Sequence, residues 1–115
     1  MVQNRNKLID LLIGNLSNAI IHKILEKAIL SSIPEIAQKY NKEIVNSWQI
    51  ALDYRGKINP PTSFPVKDIE HIKTKLSNRI KSELSIRIAK GYKNLDIELV
   101  DKAIIDFLKK LKVLD

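Results

Sequence analysis

The chain has 115 residues, of which 44% are hydrophobic and 29% are charged, and its formal net charge is +7. This length fits one domain, because a second hydrophobic core would have too few apolar side chains to fill it. The composition excludes a disordered tail, and the absence of cysteine excludes disulfides, thiolate metal sites and cysteine nucleophiles. We therefore expect a single folded domain, and the lack of cysteine favours the cytoplasm.

The first element is an apolar helix, which we predict over residues 7–30. Its leucines and isoleucines recur every three or four residues and cover most of the circumference of the helix. A helix of this kind lies in the middle of a bundle or shares its surface with a partner chain. Asp10, His22, Lys23 and Glu26 interrupt the segment, which argues against a signal peptide and against a membrane span.

The second helix is predicted over residues 33–54. Ser32 and Glu35 have the spacing of a capping box, and Pro34 falls in the first turn, where its missing N–H group costs nothing. The apolar residues that follow keep to three-and-four spacing, as expected for a helix with one buried face. Gly56 comes just after the helix, and we expect it to adopt the left-handed conformation of a C-cap.

Two more helices are predicted, over residues 65–90 and 95–113. Gly91 stops the third helix, and either Asn94 or Asp96 caps the fourth. The connections within each pair of helices are short, so the paired helices are antiparallel neighbours. The pattern predicts an all-α four-helix bundle built from two antiparallel helical hairpins. A three-helix arrangement, in which the first or second helix kinks, is the alternative.

A proline-rich loop at residues 55–64, with the sequence RGKINPPTSF, joins the two hairpins. One interpretation is a rigid strap, in which Ile58 and Phe64 pack against the bundle and the prolines limit the entropy lost on ordering. The other interpretation is a binding surface. In that case Arg55 and Lys57 supply charge, and Tyr54 and Phe64 offer aromatic faces on which a base or a proline-rich peptide could stack.

The positive charge is concentrated in one segment of the chain. Residues 55–93 carry ten lysines and arginines against three acidic residues, which equals the whole net charge of +7. Glu83 is placed to pair with Arg79 or Arg87, four residues away on either side. The cations left without an acidic partner by helical spacing are mainly Arg55, Lys57, Lys75, Lys81, Lys90 and Lys93. Such a concentration is typical of a surface that binds an anion.

Two hypotheses for function follow from these features. In the first, the protein is nucleic-acid-associated, or is an accessory subunit of a nucleoprotein complex, and its six cations contact the phosphate backbone. Lysine predominates over arginine, which favours backbone contacts over base recognition. In the second, the protein is an interaction module or homodimer that uses the apolar first helix. The basic face then only keeps the protein soluble. The second hypothesis predicts that Ile13→Asp or Ile21→Asp gives a soluble monomer.

Candidate catalytic and metal-binding residues are few. Asp68 and His71 share a helix face, but a metal site in a bundle needs a second such pair. His22 lies in the apolar first helix, where a hydrogen-bonded imidazole is expected. The sequence contains no glycine-rich phosphate loop and no specific serine–histidine–carboxylate set. We therefore expect no enzymatic activity, no metal, no cofactor, no small-molecule substrate and no membrane partner.

Overall fold

The computed structural model describes residues 4–29, 33–93 and 95–115. Within these ranges it contains four α-helices and no strand. The helices are α1 (Arg5–Ile29), α2 (Pro34–Gly56), α3 (Val66–Ala89) and α4 (Val100–Lys110), and a 3-10 turn, Ile97–Leu99, leads into α4. The predicted all-α four-helix bundle of two helical hairpins is confirmed.

Helix α1 is the central element, because it contacts each of the other three helices. α2 packs antiparallel along it, α3 packs against another side, and α4 completes the bundle against α1 and α3. Leu12, Leu16 and Ile20 of α1 are completely buried. The apolar circumference of α1 is therefore used mainly inside this chain, which is the first of the two explanations that its sequence allowed.

The same helix is the one element in the described ranges that is long and apolar enough to cross a membrane. Half of the residues in its most apolar stretch are buried inside the bundle. Burial in the core accounts for this composition, since a helix that is apolar on most sides is what the centre of a bundle requires.

The ends of the second helix depart in part from the prediction. Pro34 begins α2 as expected, with Ile33 at the N-cap, whereas Ser32 lies outside the described residues. The left-handed C-cap predicted at Gly56 is wrong, because Gly56 is the last residue of α2 and has no positive φ. The helix instead ends in tight turns, in which the N–H groups of Lys57 and Ile58 donate to carbonyls three residues earlier.

The turn after α3 has the predicted stop at Gly91, whose φ is +101°. The N–H groups of Gly91 and Tyr92 donate to the carbonyls of Ile88 and Arg87, each at 3.0 Å. This pair of hydrogen bonds is a Schellman motif, and glycine suits it because the left-handed conformation carries no Cβ penalty. The motif fixes the direction in which the chain leaves α3.

The fourth helix is shorter than predicted. Asp96 accepts a hydrogen bond from the N–H of Glu98 at 2.9 Å, which confirms it as a cap, and Asn94 lies outside the described residues. The α-helix ends at Lys110 instead of residue 113, because Lys112 adopts a left-handed conformation with φ 61°. The turn that follows points the completely buried Val113 back into the core.

Candidate nucleic-acid interface

Arg55, the first of the predicted phosphate-binding residues, is a buried structural residue. Only 7% of it is exposed. Its guanidinium donates to the carbonyls of Leu111, Ile58, Thr62 and Lys112 at 2.9 to 3.0 Å. Burial, and to a lesser extent the charge of Arg5, lowers the pKa of Arg55. Four of its five N–H donors are occupied, so we remove Arg55 from the candidate interface.

The proline-rich loop is anchored at both ends, as the strap interpretation expects. Ile58 and Phe64 are 2% and 4% exposed. The Phe64 ring lies between two guanidinium groups, with its centre 4.2 Å from Arg55 and 5.5 Å from Arg5. A base therefore has no access to Phe64, and the stacking role considered for it is wrong. Lys57 is exposed on the loop.

Helix α3 presents a polar stripe to solvent, and the exposed side chains of Ile86 and Ile88 lie beside it. Ile72, Leu76, Ile80 and Leu84 are completely buried and point into the core. The opposite side of the helix therefore faces outward. The exposed residues there are short or polar: His71, Thr74, Asn78, Ser82, Ser85 and Ala89.

Positive side chains border this outward side. We define the α3 basic face as the exposed cations of α3 and of the turn that follows it: Lys67, Lys75, Arg79, Lys90 and Lys93. Glu70 is the one carboxylate of α3 that forms no ion pair with another described residue. The helix and the turn after it thus present five exposed cations against one unpaired carboxylate, which favours the approach of an anionic partner.

The other two carboxylates of α3 are held by arginines. Asp68 lies 2.6 Å from the guanidinium of Arg5 on α1, and Glu83 lies 3.0 Å from that of Arg87. Glu83 therefore pairs with only one of its two expected partners. The guanidinium of Arg79 lies beside Gly14 of α1 and forms no ion pair with another described residue. Helical spacing alone does not tell which of the two arginines pairs with Glu83, so the sequence does not identify Arg79 as an unpaired cation.

The remaining predicted residues differ in their surroundings. The ammonium of Lys81 lies 3.4 Å from the Asp101 carboxylate of α4, which partly neutralises it. Lys75 has no ion pair within 4.0 Å among the described residues, and neither do Lys90 and Lys93. Lys81 thus marks the edge of the α3 basic face, and the other three lie on it.

An exposed tyrosine stands in the turn at the end of α3. Tyr92 is 40% exposed, and it lies between Lys90 and Lys93 in the sequence. The Arg87 guanidinium is 5.5 Å from the centre of its ring. Burial and the neighbouring Tyr92 hydroxyl raise the pKa of Tyr40 on α2, while the positive charge of Arg87 opposes that change.

The histidine and carboxylate pairs considered for metal binding have other roles. Asp68 is engaged by Arg5, and the nearby His71 is exposed. The Nδ1 atom of His22 lies 2.7 Å from the carbonyl oxygen of Asn18, as expected for a hydrogen-bonded imidazole in the bundle. Within residues 4–29, 33–93 and 95–115, no group of three or more histidine or acidic side chains could hold a metal ion.

No family model, curated protein or solved structure matches this chain.

Proposed function

We propose that the protein binds the phosphate backbone of nucleic acids through the α3 basic face. The observation that carries this proposal is the imbalance of charge on α3 and the turn after it, where, among the described residues, five exposed cations stand against one unpaired carboxylate. Phosphate contacts of this kind supply affinity and orientation without sequence specificity. The predominance of lysine on this face agrees with backbone contacts, since bidentate base recognition mostly uses arginine.

The centre of the outward side suits a backbone that comes close. Asn78, Ser82 and Ser85 are exposed and short, so they leave room for a strand between the longer basic side chains. Their amide and hydroxyl groups donate hydrogen bonds of the kind that phosphate oxygens accept. At about 1.5 Å per residue, α3 is long enough to follow several successive phosphates.

The set of contact residues changes accordingly. Lys75, Lys90 and Lys93 remain from the sequence-based prediction, Lys81 stands at the edge, and Arg55 is removed. Lys67 and Arg79 join the set, because both are exposed on α3. Lys57 remains a candidate on the loop, where its ammonium lies 5.5 Å from the centre of the Tyr54 ring.

The test is a charge reversal at Lys75 and Arg79 together, with binding followed by the anisotropy of fluorescein-labelled DNA and RNA. The matched control reverses Lys39 and Lys42, which are exposed on α2. Both variants change the net charge equally, and α2 contacts α1 rather than α3. We expect Lys75→Glu/Arg79→Glu to weaken binding about tenfold or more at every sequence, and the α2 variant to weaken it much less. Equal losses in the two variants would contradict the proposal.

We infer self-association as a second candidate function, on the basis of a groove between α1 and α4 that combines apolar and charged side chains. The groove has a volume of about 350 Å³; Ile24, Ala103 and Phe107 form part of its wall, and six of its eleven lining residues are charged. Leu99 at its edge is 58% exposed. A second copy of the chain would remove this apolar surface from water.

Sedimentation at micromolar protein concentration tests the second candidate. We expect a dimer that Leu99→Asp converts to monomer, since a charge cannot be buried there without a partner. Leu99→Asn, which is polar but uncharged, should weaken the dimer less. A monomer for the unmodified protein at that concentration would contradict self-association.

A further inference from the structure

The turn at the end of α3 carries Tyr92, an aromatic residue that is more exposed to solvent than the other aromatic residues. The chain has six aromatic residues, all within the described ranges, and Tyr92 alone among them is exposed. The other five are buried or half-buried, and Trp48, for example, packs edge-to-face on Phe107 with 5.5 Å between ring centres. An aromatic ring with this much exposure gives up part of the burial that usually stabilises it.

Three features hold Tyr92 in place. The Schellman motif at Gly91 fixes the backbone, because the N–H of Tyr92 donates to the Arg87 carbonyl at 3.0 Å. The Arg87 guanidinium lies 5.5 Å from the ring centre, within the range of a cation–π contact. Glu83 in turn holds Arg87 at 3.0 Å. A ring fixed in this way loses little conformational freedom when a ligand stacks on it.

Two exposed cations lie close to Tyr92 in the sequence. Lys90 and Lys93 flank Tyr92 in the sequence, and both are exposed. Proteins that bind single-stranded nucleic acid combine these two elements, namely positive charge along the backbone and an aromatic ring on which a base stacks. In a duplex the bases stack on one another inside the helix, so such a ring has no base to accept.

We propose that Tyr92 is a stacking platform for an unpaired base, and that it directs the α3 basic face toward single-stranded nucleic acid. This inference rests on the proposed function and narrows its substrate to single strands, loops and ends. Lys90 and Lys93 then contact the phosphates on either side of the stacked base. The rest of the face holds the backbone of any strand.

The experiment compares Tyr92→Leu and Tyr92→Phe with the unmodified protein, titrated into a labelled 12-nucleotide oligothymidine and a labelled 12-base-pair duplex. We expect Tyr92→Leu to weaken binding to the single strand about fivefold or more, which is the range of one base–aromatic stack. Tyr92→Phe keeps the ring and should keep that affinity. Duplex affinity should change less than about twofold in either variant, since phosphate contacts dominate it.

A photochemical measurement gives a second readout. A strand in which 5-iododeoxyuridine replaces one thymidine is irradiated in the complex, and the crosslinked peptide is identified by mass spectrometry. We expect the crosslink at Tyr92, because this reaction needs an aromatic side chain in contact with the base.

The outcomes distinguish base stacking on Tyr92 from phosphate binding by the α3 basic face. If Tyr92→Leu lowers single-strand and duplex affinity equally, or lowers neither, stacking is overturned while binding by the α3 basic face stands. A crosslink elsewhere on the chain has the same meaning. If the unmodified protein binds neither probe, both proposals are overturned.

Discussion

The guanidinium of Arg55 lies 4.2 Å from the centre of the Phe64 ring and donates to four backbone carbonyls. Two of those carbonyls belong to the proline-rich loop, and the other two belong to Leu111 and Lys112 in the C-terminal turn. One side chain at the end of α2 therefore joins two segments that are far from each other in sequence. This contact holds the loop against the C-terminal turn.

We predict that Arg55→Met destabilises the protein by roughly 2–4 kcal/mol, because the substitution leaves buried carbonyls without donors. Urea unfolding followed by circular dichroism measures this free energy. Arg55→Lys should be almost as unfavourable, since one ammonium group cannot reach all four carbonyls. The matched control is the exposed Lys57→Met, which should change stability by less than about 0.5 kcal/mol. Equal stabilities for the two methionine variants would contradict this role.

A second prediction concerns the centre of the bundle. Ile13 is 3% exposed, so Ile13→Asp puts a carboxylate among core side chains without a partner. We expect this variant to unfold instead of giving the soluble monomer that the sequence suggested. Leu99→Asp places the same charge at a position that is 58% exposed, and it should keep the melting temperature within a few degrees. A cooperative melt of Ile13→Asp near that of the unmodified protein would disprove the assignment of Ile13 to the core.

A third prediction uses the left-handed residue at the end of α4. Lys112 has φ 61°, a conformation that costs a residue with a Cβ roughly 1–2 kcal/mol and costs glycine little. Lys112→Gly should therefore stabilise the protein by about 1 kcal/mol, as measured by urea unfolding. Lys110→Gly is the control, because Lys110 is exposed and helical, and there glycine should destabilise by about 0.5–1 kcal/mol. Destabilisation by both substitutions would mean that the turn does not carry this strain.

The fourth prediction is a pH dependence that arises from Tyr40. Its pKa is raised from the ordinary value of 10.0, so the folded state holds the phenol proton more tightly than the unfolded state does. The stability that this provides is complete below about pH 10 and is lost as the pH rises through the folded-state pKa. We expect Tyr40→Phe to lose less stability than the unmodified protein when urea unfolding is compared at pH 9 and pH 11. Equal losses of stability in the two proteins would contradict this role of Tyr40.

Most of the fold could be predicted from the sequence, because its signals are local. The apolar spacing defines the helices, and Gly91 and Asp96 act on their own neighbours within a few residues. The prediction of a left-handed Gly56 failed because the conformation of this turn is not set by local signals. Its turn depends on where the chain goes next, and that path is held by the contacts of Arg55 with the distant C-terminal turn.

The candidate interface was predicted less well, because the availability of a charge depends on tertiary contacts. Arg55 and Lys75 look alike as unpaired cations in the sequence, yet one is 7% exposed and the other lies on the surface. The partner of Lys81, Asp101, is twenty residues away on another helix, so helical spacing could not reveal it. The one available signal for Arg55 was its position at the end of an apolar helix face, where long side chains often reach across to a neighbouring segment.

The most direct test of the α3 basic face is the salt dependence of binding by the unmodified protein. Anisotropy titrations of a labelled single strand are made at several salt concentrations, and log affinity is plotted against log salt. Contact with four to six phosphates of a single strand predicts a straight line with a slope of about −3 to −4. Absence of binding at low salt, or an affinity that does not change with salt, would contradict the account.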